Sequence, residues 1–131
     1  MTSAVYKPAK ALLVALGASL SGAIALEGRS GVIGFISPSA TTGLVASPSG
    51  DVSLVIHGSV DGVNFYPIYD RATGLHVTLP LGLAEARVLP IDPIFTAMCT
   101  HIKIEIVNPS ALNTGINQVA ARTFAAILYE V

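Results

Sequence analysis

Three histidines, one cysteine and a scatter of turn-type carboxylates are the residues here that could do chemistry. His57, His76 and His101 fall in three separate stretches, without the His-x-His or His-x-x-x-His spacing that brings two imidazoles to one metal. Each also alternates out of the apolar set of its own stretch, so they read as solvent-facing or interface histidines. Cys99 closes the apolar run Ile94-Phe95-Thr96-Ala97-Met98-Cys99 and has no second cysteine in the chain. That excludes an internal disulfide and predicts a small packed hydrophobe. Asp61, Asp70, Glu85 and Asp92 lie in turn-like segments, where Asp is favoured for bonding nearby backbone. Two of them across a cleft would make a glycosidase pair, but linear spacing does not assemble one. Asp51, Asp61 and Asp70 with Asn64 offer oxygens for calcium, yet lack the tight Asp-x-Asp-x-Asp spacing of a dedicated loop. Ser59-Val60-Asp61-Gly62 is neither a nucleophile elbow nor a phosphate loop, since no Gly-rich turn leads into a helix. Tyr66 and Tyr69 could stack on a sugar, but three residues apart on a strand they would face opposite sides. No catalytic residue, cofactor or metal site is predicted.

These residues must be positioned by strands. Over residues 51–70, Val52, Leu54 and Ile56 alternate with Ser53, Val55 and His57, and Phe65-Tyr66-Pro67-Ile68-Tyr69 is aromatic and β-prone. Between them the Asp61-Gly62 pair suits a tight turn, so a hairpin is expected. Upstream, residues 1–10 read as an extended N-terminal arm, with Pro8 disfavouring helix at the position before it. Lys7 and Lys10 followed by the apolar residues 11–26 imitate a secretory signal peptide. The run is shorter than the ~20 apolar residues of a membrane span, and Gly17, Ser19, Ser21 and Gly22 interrupt it. Two strands, 11–16 and 23–27, joined by a Gly/Ser turn are the expectation.

Further strands are expected at 32–36, at 75–79 with Leu75, Val77 and Leu79 on one face, at 87–91 and at 123–131. The clearest is 101–107, where Ile102, Ile104 and Ile106 alternate with His101, Lys103 and Glu105. Asp92-Pro93 is a helix start with room for one or two turns. Residues 38–50 and 108–118 are polar loops, the first of a length that is usually functional or interface-forming. About eight short strands without a helical period predict an all-β, antiparallel β-sandwich of jelly-roll type, with residues 1–10 as the arm and 11–131 as one domain.

Of the 131 residues 52% are hydrophobic and only 11% charged, against roughly a quarter charged in a typical soluble domain. Too few charges are present to cover a monomer's surface, so much of the exterior is expected to meet other protein. A net charge of −1 with basic residues scattered singly gives no drive toward nucleic acid, and no membrane partner is expected.

The stretch Ser59-Val60-Asp61-Gly62-Val63-Asn64-Phe65-Tyr66-Pro67-Ile68-Tyr69-Asp70 resembles a pattern of small virion proteins of tailed bacteriophages: Ser-x-Asp-Gly, an aromatic, then Pro-hydrophobic-Tyr-Asp. Arg87-Val88-Leu89-Pro90-Ile91-Asp92-Pro93 resembles that family's short strand and Asp-Pro turn, His101-Ile102-Lys103-Ile104 its next strand, and Asn117-Gln118-Val119-Ala120-Ala121-Arg122-Thr123 the approach to its last. The resemblance runs from about residue 26 to the C-terminus and brings no catalytic residue. It implies a non-enzymatic β-sandwich component of the virion, a capsid cement or decoration protein on the capsid exterior that binds the major capsid protein and forms homo-oligomers, trimers above all. The hairpin is also similar to galactose-binding, discoidin-like jelly rolls, which implies a carbohydrate-binding or host-adhesion module instead, although the chain has no Trp. A tail or baseplate location fits the same fold. On the cement reading the contact residues are those of the arm and of the 38–50 loop: Tyr6, Lys7, Pro8, Thr41, Thr42, Leu44 and Val45.

Overall fold

The computed structural model describes residues 5–6, 10–27, 31–38, 52–81, 86–108, 113–118 and 120–130. They form an all-β structure of two larger antiparallel sheets around one core, with a separate two-stranded hairpin. In the first sheet β13 (Arg122–Glu130) is central. On one side it pairs with β4 (Gly31–Ser37), which in turn pairs with β10 (Arg87–Pro90). On its other side β13 pairs with both β1 (Val5–Tyr6) and β2 (Lys10–Val14), which occupy one edge in succession. The first and last segments of the chain are thus hydrogen-bonded together.

The second sheet is built on the ladder between β5 (Ser53–Ser59) and β11 (His101–Asn108), in register from His101↔Ser59 to Val107↔Ser53. Ile102, Ile104 and Ile106 are fully buried, the alternation expected of them. With Leu54 and Ile56 they meet Leu12, Phe35, Phe124 and Leu128 of the first sheet in one hydrophobic core. The outer edge of β11 is satisfied piecewise, by β3 (Ile24–Ala25), a bridge at Leu20 and β12 (Thr114–Gly115). The strands expected at 11–16 and 23–27 both exist in shortened form, but they belong to different sheets. Ser21 explains the separation: its N–H donates to the Ile104 carbonyl (2.8 Å) and its Oγ accepts from the Ile104 N–H (3.0 Å), so the Gly/Ser segment is itself bound to β11.

The expected hairpin after β5 is present, with β6 (Tyr66–Pro67) pairing His57↔Pro67 and Gly58↔Tyr66. The edge strand then breaks. β7 (Tyr69–Asp70) and β8 (Leu75–His76) leave as a small hairpin of their own, and β9 (Thr78–Pro80) returns to pair with residues 53–55 of β5. Hence Leu75 does not share a face with Val77 and Leu79: it is exposed on the excursion, while Val77 is buried and Leu79 half-buried. At Asp92-Pro93 the helix start yields a single 3-10 turn, Pro93–Phe95, with the Asp92 side chain accepting from the Ile94 N–H.

Candidate functional site

The groups singled out for chemistry are held apart. His57 Nε2 lies 3.2 Å from Glu105 Oε1, and Glu105 Oε2 accepts from Ser19 Oγ at 3.0 Å. His76 Nδ1 accepts from Asn113 Nδ2 at 3.0 Å, with the Tyr69 ring edge-on at 4.5 Å. His101 Nδ1 is 2.9 Å from Thr100 Oγ1. Among the described residues no three His, Cys, Asp or Glu side chains gather to hold a metal ion. Ser19, Glu105 and His57 thus form one hydrogen-bonded chain, in which the serine hydroxyl bonds the glutamate rather than the histidine. Cys99 packs against the core, and burial pushes its thiol pKa up, disfavouring the thiolate. Asp51 and Glu85 lie outside the described residues.

Asp61 is a turn-former. Its Oδ1 accepts from the Asn64 (2.9 Å) and Val63 (2.8 Å) N–H groups and from Ser59 Oγ (2.9 Å), and Oδ2 accepts from Asn64 Nδ2 (3.0 Å). The Asn64 and Val63 backbone donors, then the Asn64 and Ser59 side chains, hold its carboxyl well below the usual carboxylate range. Gly62 takes φ +79°, and a Cβ there would stand 2.9 Å from the His101 ring. Asp70 likewise bonds the Ala72 N–H within its own turn.

The break in the edge strand brings Tyr66 and Tyr69 to the same side, contrary to strand spacing. Both line one hollow of about 370 Å3 with Met98 and Cys99, which adjoins a second of about 730 Å3 lined by Arg71, Asp92 and Ile94. Tyr66 is 67% exposed, Tyr69 58% and Met98 78%. This is an open, aromatic and aliphatic depression at the loop end of the sandwich.

A larger feature is the outward face of the first sheet. In β2, Leu12 and Val14 point to the core, leaving Ala11 and Leu13 outside; in β13, Phe124, Ala126 and Leu128 are inside and Thr123, Ala125 and Ile127 outside. Outward in β4 and β10 are Gly34, Ile36, Val88 and Pro90, placed by the pairs Val88↔Ile36 and Pro90↔Gly34. No outward position described on these four strands carries a charge. Leu13 is 50% exposed, Ile36 40% and Val88 68%. Lys10 lies at the margin, tied to Glu27 Oε1 at 2.7 Å and the Ala25 carbonyl at 2.9 Å. The second sheet is the opposite: its outer face carries His57, His101, Lys103 and Glu105, with the Lys103 ammonium 4.5 Å from the Phe65 ring centre.

Of the contact residues expected from sequence, Tyr6 pairs with Tyr129 at the edge of this first sheet, whereas Lys7, Pro8, Thr41, Thr42, Leu44 and Val45 lie outside the described residues. Ala11, Leu13, Ile36, Ala125 and Val88, which this outward face carries, were not among the residues expected from sequence. A signal for them exists: Ala11-Leu12-Leu13-Val14, Val32-Ile33-Gly34-Phe35-Ile36 and Phe124-Ala125-Ala126-Ile127-Leu128 are apolar without alternation, as in strands covered on both faces. In comparisons with known protein families, curated proteins and solved structures, no match to the chain was found.

Proposed function

We propose that this chain is a non-enzymatic structural protein that works by docking the outward face of its first sheet onto protein, as a capsid cement or decoration protein bound to the major capsid protein on the exterior of a phage head. The observation that carries the reading is the charge-free outward face, unlike the charged face of the second sheet. The resemblance of residues 59–70 and 87–93 to small phage virion proteins supplies the context, and trimers are the oligomer it favours. A jelly-roll topology is supported by treating β1 with β2, the Leu20 bridge with β3, and β6 with β9 as single strands, and leaving aside β12 and the β7–β8 hairpin. The eight strands that result, in chain order, lie 1-8-3-6 in one sheet and 2-7-4-5 in the other, two interlocked Greek keys. On this reading the N-terminal arm and the 38–50 loop wrap a neighbour, and repetition around a shell turns weak contacts into avidity.

Particles stripped of the protein should rupture at lower temperature or milder osmotic shock, and Ile36→Lys should fail to rebind them. Unchanged particle stability would sink the proposal. A second reading, carbohydrate binding in host adhesion, is favoured by Tyr66 and Tyr69 lining one hollow. It predicts glycan binding by the isolated protein that is lost in Tyr66→Ala, and a flat glycan array counts against it.

A further inference from the structure

Across the outward face one cross-strand row runs Ala11↔Ala125↔Ile36↔Val88, from β2 through β13 and β4 to β10. It is graded: the β2 half is small and the β10 half is large. A hollow of about 310 Å3 lies beside the small residues, lined by Ala11, Thr123 and Ala125 together with Ile36 and the marginal Lys10, while Leu13 and Val88 stand out on the two edge strands. We infer that this face is self-complementary and that in the free protein its occupant is a second copy of the chain, packed sheet on sheet about a two-fold axis that runs along the strands between β13 and β4. That pairing gives way when the same face docks on the capsid protein. The inference rests on the face being a docking surface, as proposed above.

Rotation about such an axis exchanges the halves. Ile36 and Val88 of one copy then cover Ala125 and Ala11 of the other, with the alanines leaving room for the larger side chains. The outward strand positions are uncharged, with Lys10 at the margin paired to Glu27, so the face meets its own copy with less of the like-charge repulsion that the His57, Lys103 and Glu105 surface would suffer. The four strands hold 5, 9, 7 and 4 residues. At about 4.8 Å between strands and about 3.3 Å per residue they present roughly 400 Å2. A standard interface needs about 800 Å2 per partner, so the pair should be reversible and dilution-sensitive rather than obligate.

Sedimentation equilibrium over a concentration series, with native mass spectrometry, tests this. Wild type should dimerise without weakening from about 0.05 to about 0.5 M NaCl, since no ion pair is screened, and more tightly in sulfate. Ile36→Lys and Ala125→Glu should each weaken the dimer about a hundredfold or more by burying an unpaired charge. Mixed together, they should form a heterodimer that recovers most of the loss, because residue 36 of one copy faces residue 125 of the other. A misfolded variant could not be rescued in this way. Wild type monomeric throughout, only trimers, or no heterodimer in the mixture would overturn the inference. If the inference fails while both variants also fail to bind particles, the docking reading survives; if they bind particles normally, that reading fails as well.

Discussion

Thr96→Val isolates one buried hydrogen bond that fixes the 3-10 turn to the first sheet. Thr96 is fully buried; its Oγ1 accepts from the Val32 N–H at 2.8 Å and donates to the Pro93 carbonyl at 3.3 Å. Valine keeps the volume but removes the hydroxyl. The Pro93 carbonyl retains the Thr96 backbone N–H at 3.1 Å, whereas the Val32 N–H, on a fully buried residue, loses the acceptor it has here. Stranding a buried donor costs about 1–3 kcal/mol. For a chain of this length each kcal/mol moves Tm by about 3–5 °C, so a fall of about 3–15 °C is expected. Thr96→Ser supplies the contrast, since it loses a methyl but keeps Oγ. Both variants are destabilised, but only Thr96→Val should accelerate hydrogen exchange at the Val32 amide beyond the rest of β4. Urea melts give the stability and exchange gives the site. Thr96→Val within about 0.5 kcal/mol of wild type, with Val32 still protected, would mean that the hydroxyl does not hold the turn to β4.

Other perturbations test the second sheet and its turn. Ser21→Ala removes the acceptor of the fully buried Ile104 N–H and should cost about 1–3 kcal/mol in urea melts, with faster exchange at Ile104; neutrality would mean the segment does not depend on that bond. Gly58→Ala places a Cβ against Cys99 Sγ and 3.2 Å from Ile68 Cδ1, an overpacking expected to cost about 1–3 kcal/mol. Adding Cys99→Ala should return part of that loss, and strict additivity of the two changes would contradict the contact. Asp61 has a carboxyl pKa that is lower folded than unfolded, so its contribution is complete above the ordinary value of 3.8 and is lost as pH falls toward the folded value. The stability gap between wild type and Asp61→Asn should therefore narrow from about pH 6 to about pH 2, and a pH-independent gap would count against the turn bonds.

The sequence is legible where local chemistry decides the outcome. Ile102, Ile104 and Ile106 announce a strand with one core face, Asp92-Pro93 announces a capped turn, and Asp61-Gly62 announces the hairpin. It misleads where a long-range bond overrides spacing. Tyr66 and Tyr69 reach one side because the edge strand breaks at Ile68, whose N–H bonds Ile56 while Val77 returns to the Ile68 carbonyl. Residues 11–27 divide between two sheets because Ser21 is claimed by Ile104. The outward face of the first sheet shows in the sequence as three stretches without polar alternation, yet apolar contact is non-directional, so without the strand pairing the residue types do not say what would cover it.

Whether the outward face of the first sheet is the surface buried in assembly can be read by carbene footprinting of the protein bound in its assembly and free in dilute solution, at Leu13, Ile36 and Val88 against Val63 and Met98 at the loop end. Labelling at Leu13, Ile36 and Val88 should fall on assembly while Val63 and Met98 stay fully labelled. Protection of Val63 and Met98 with the sheet face still labelled would rule out docking through this face.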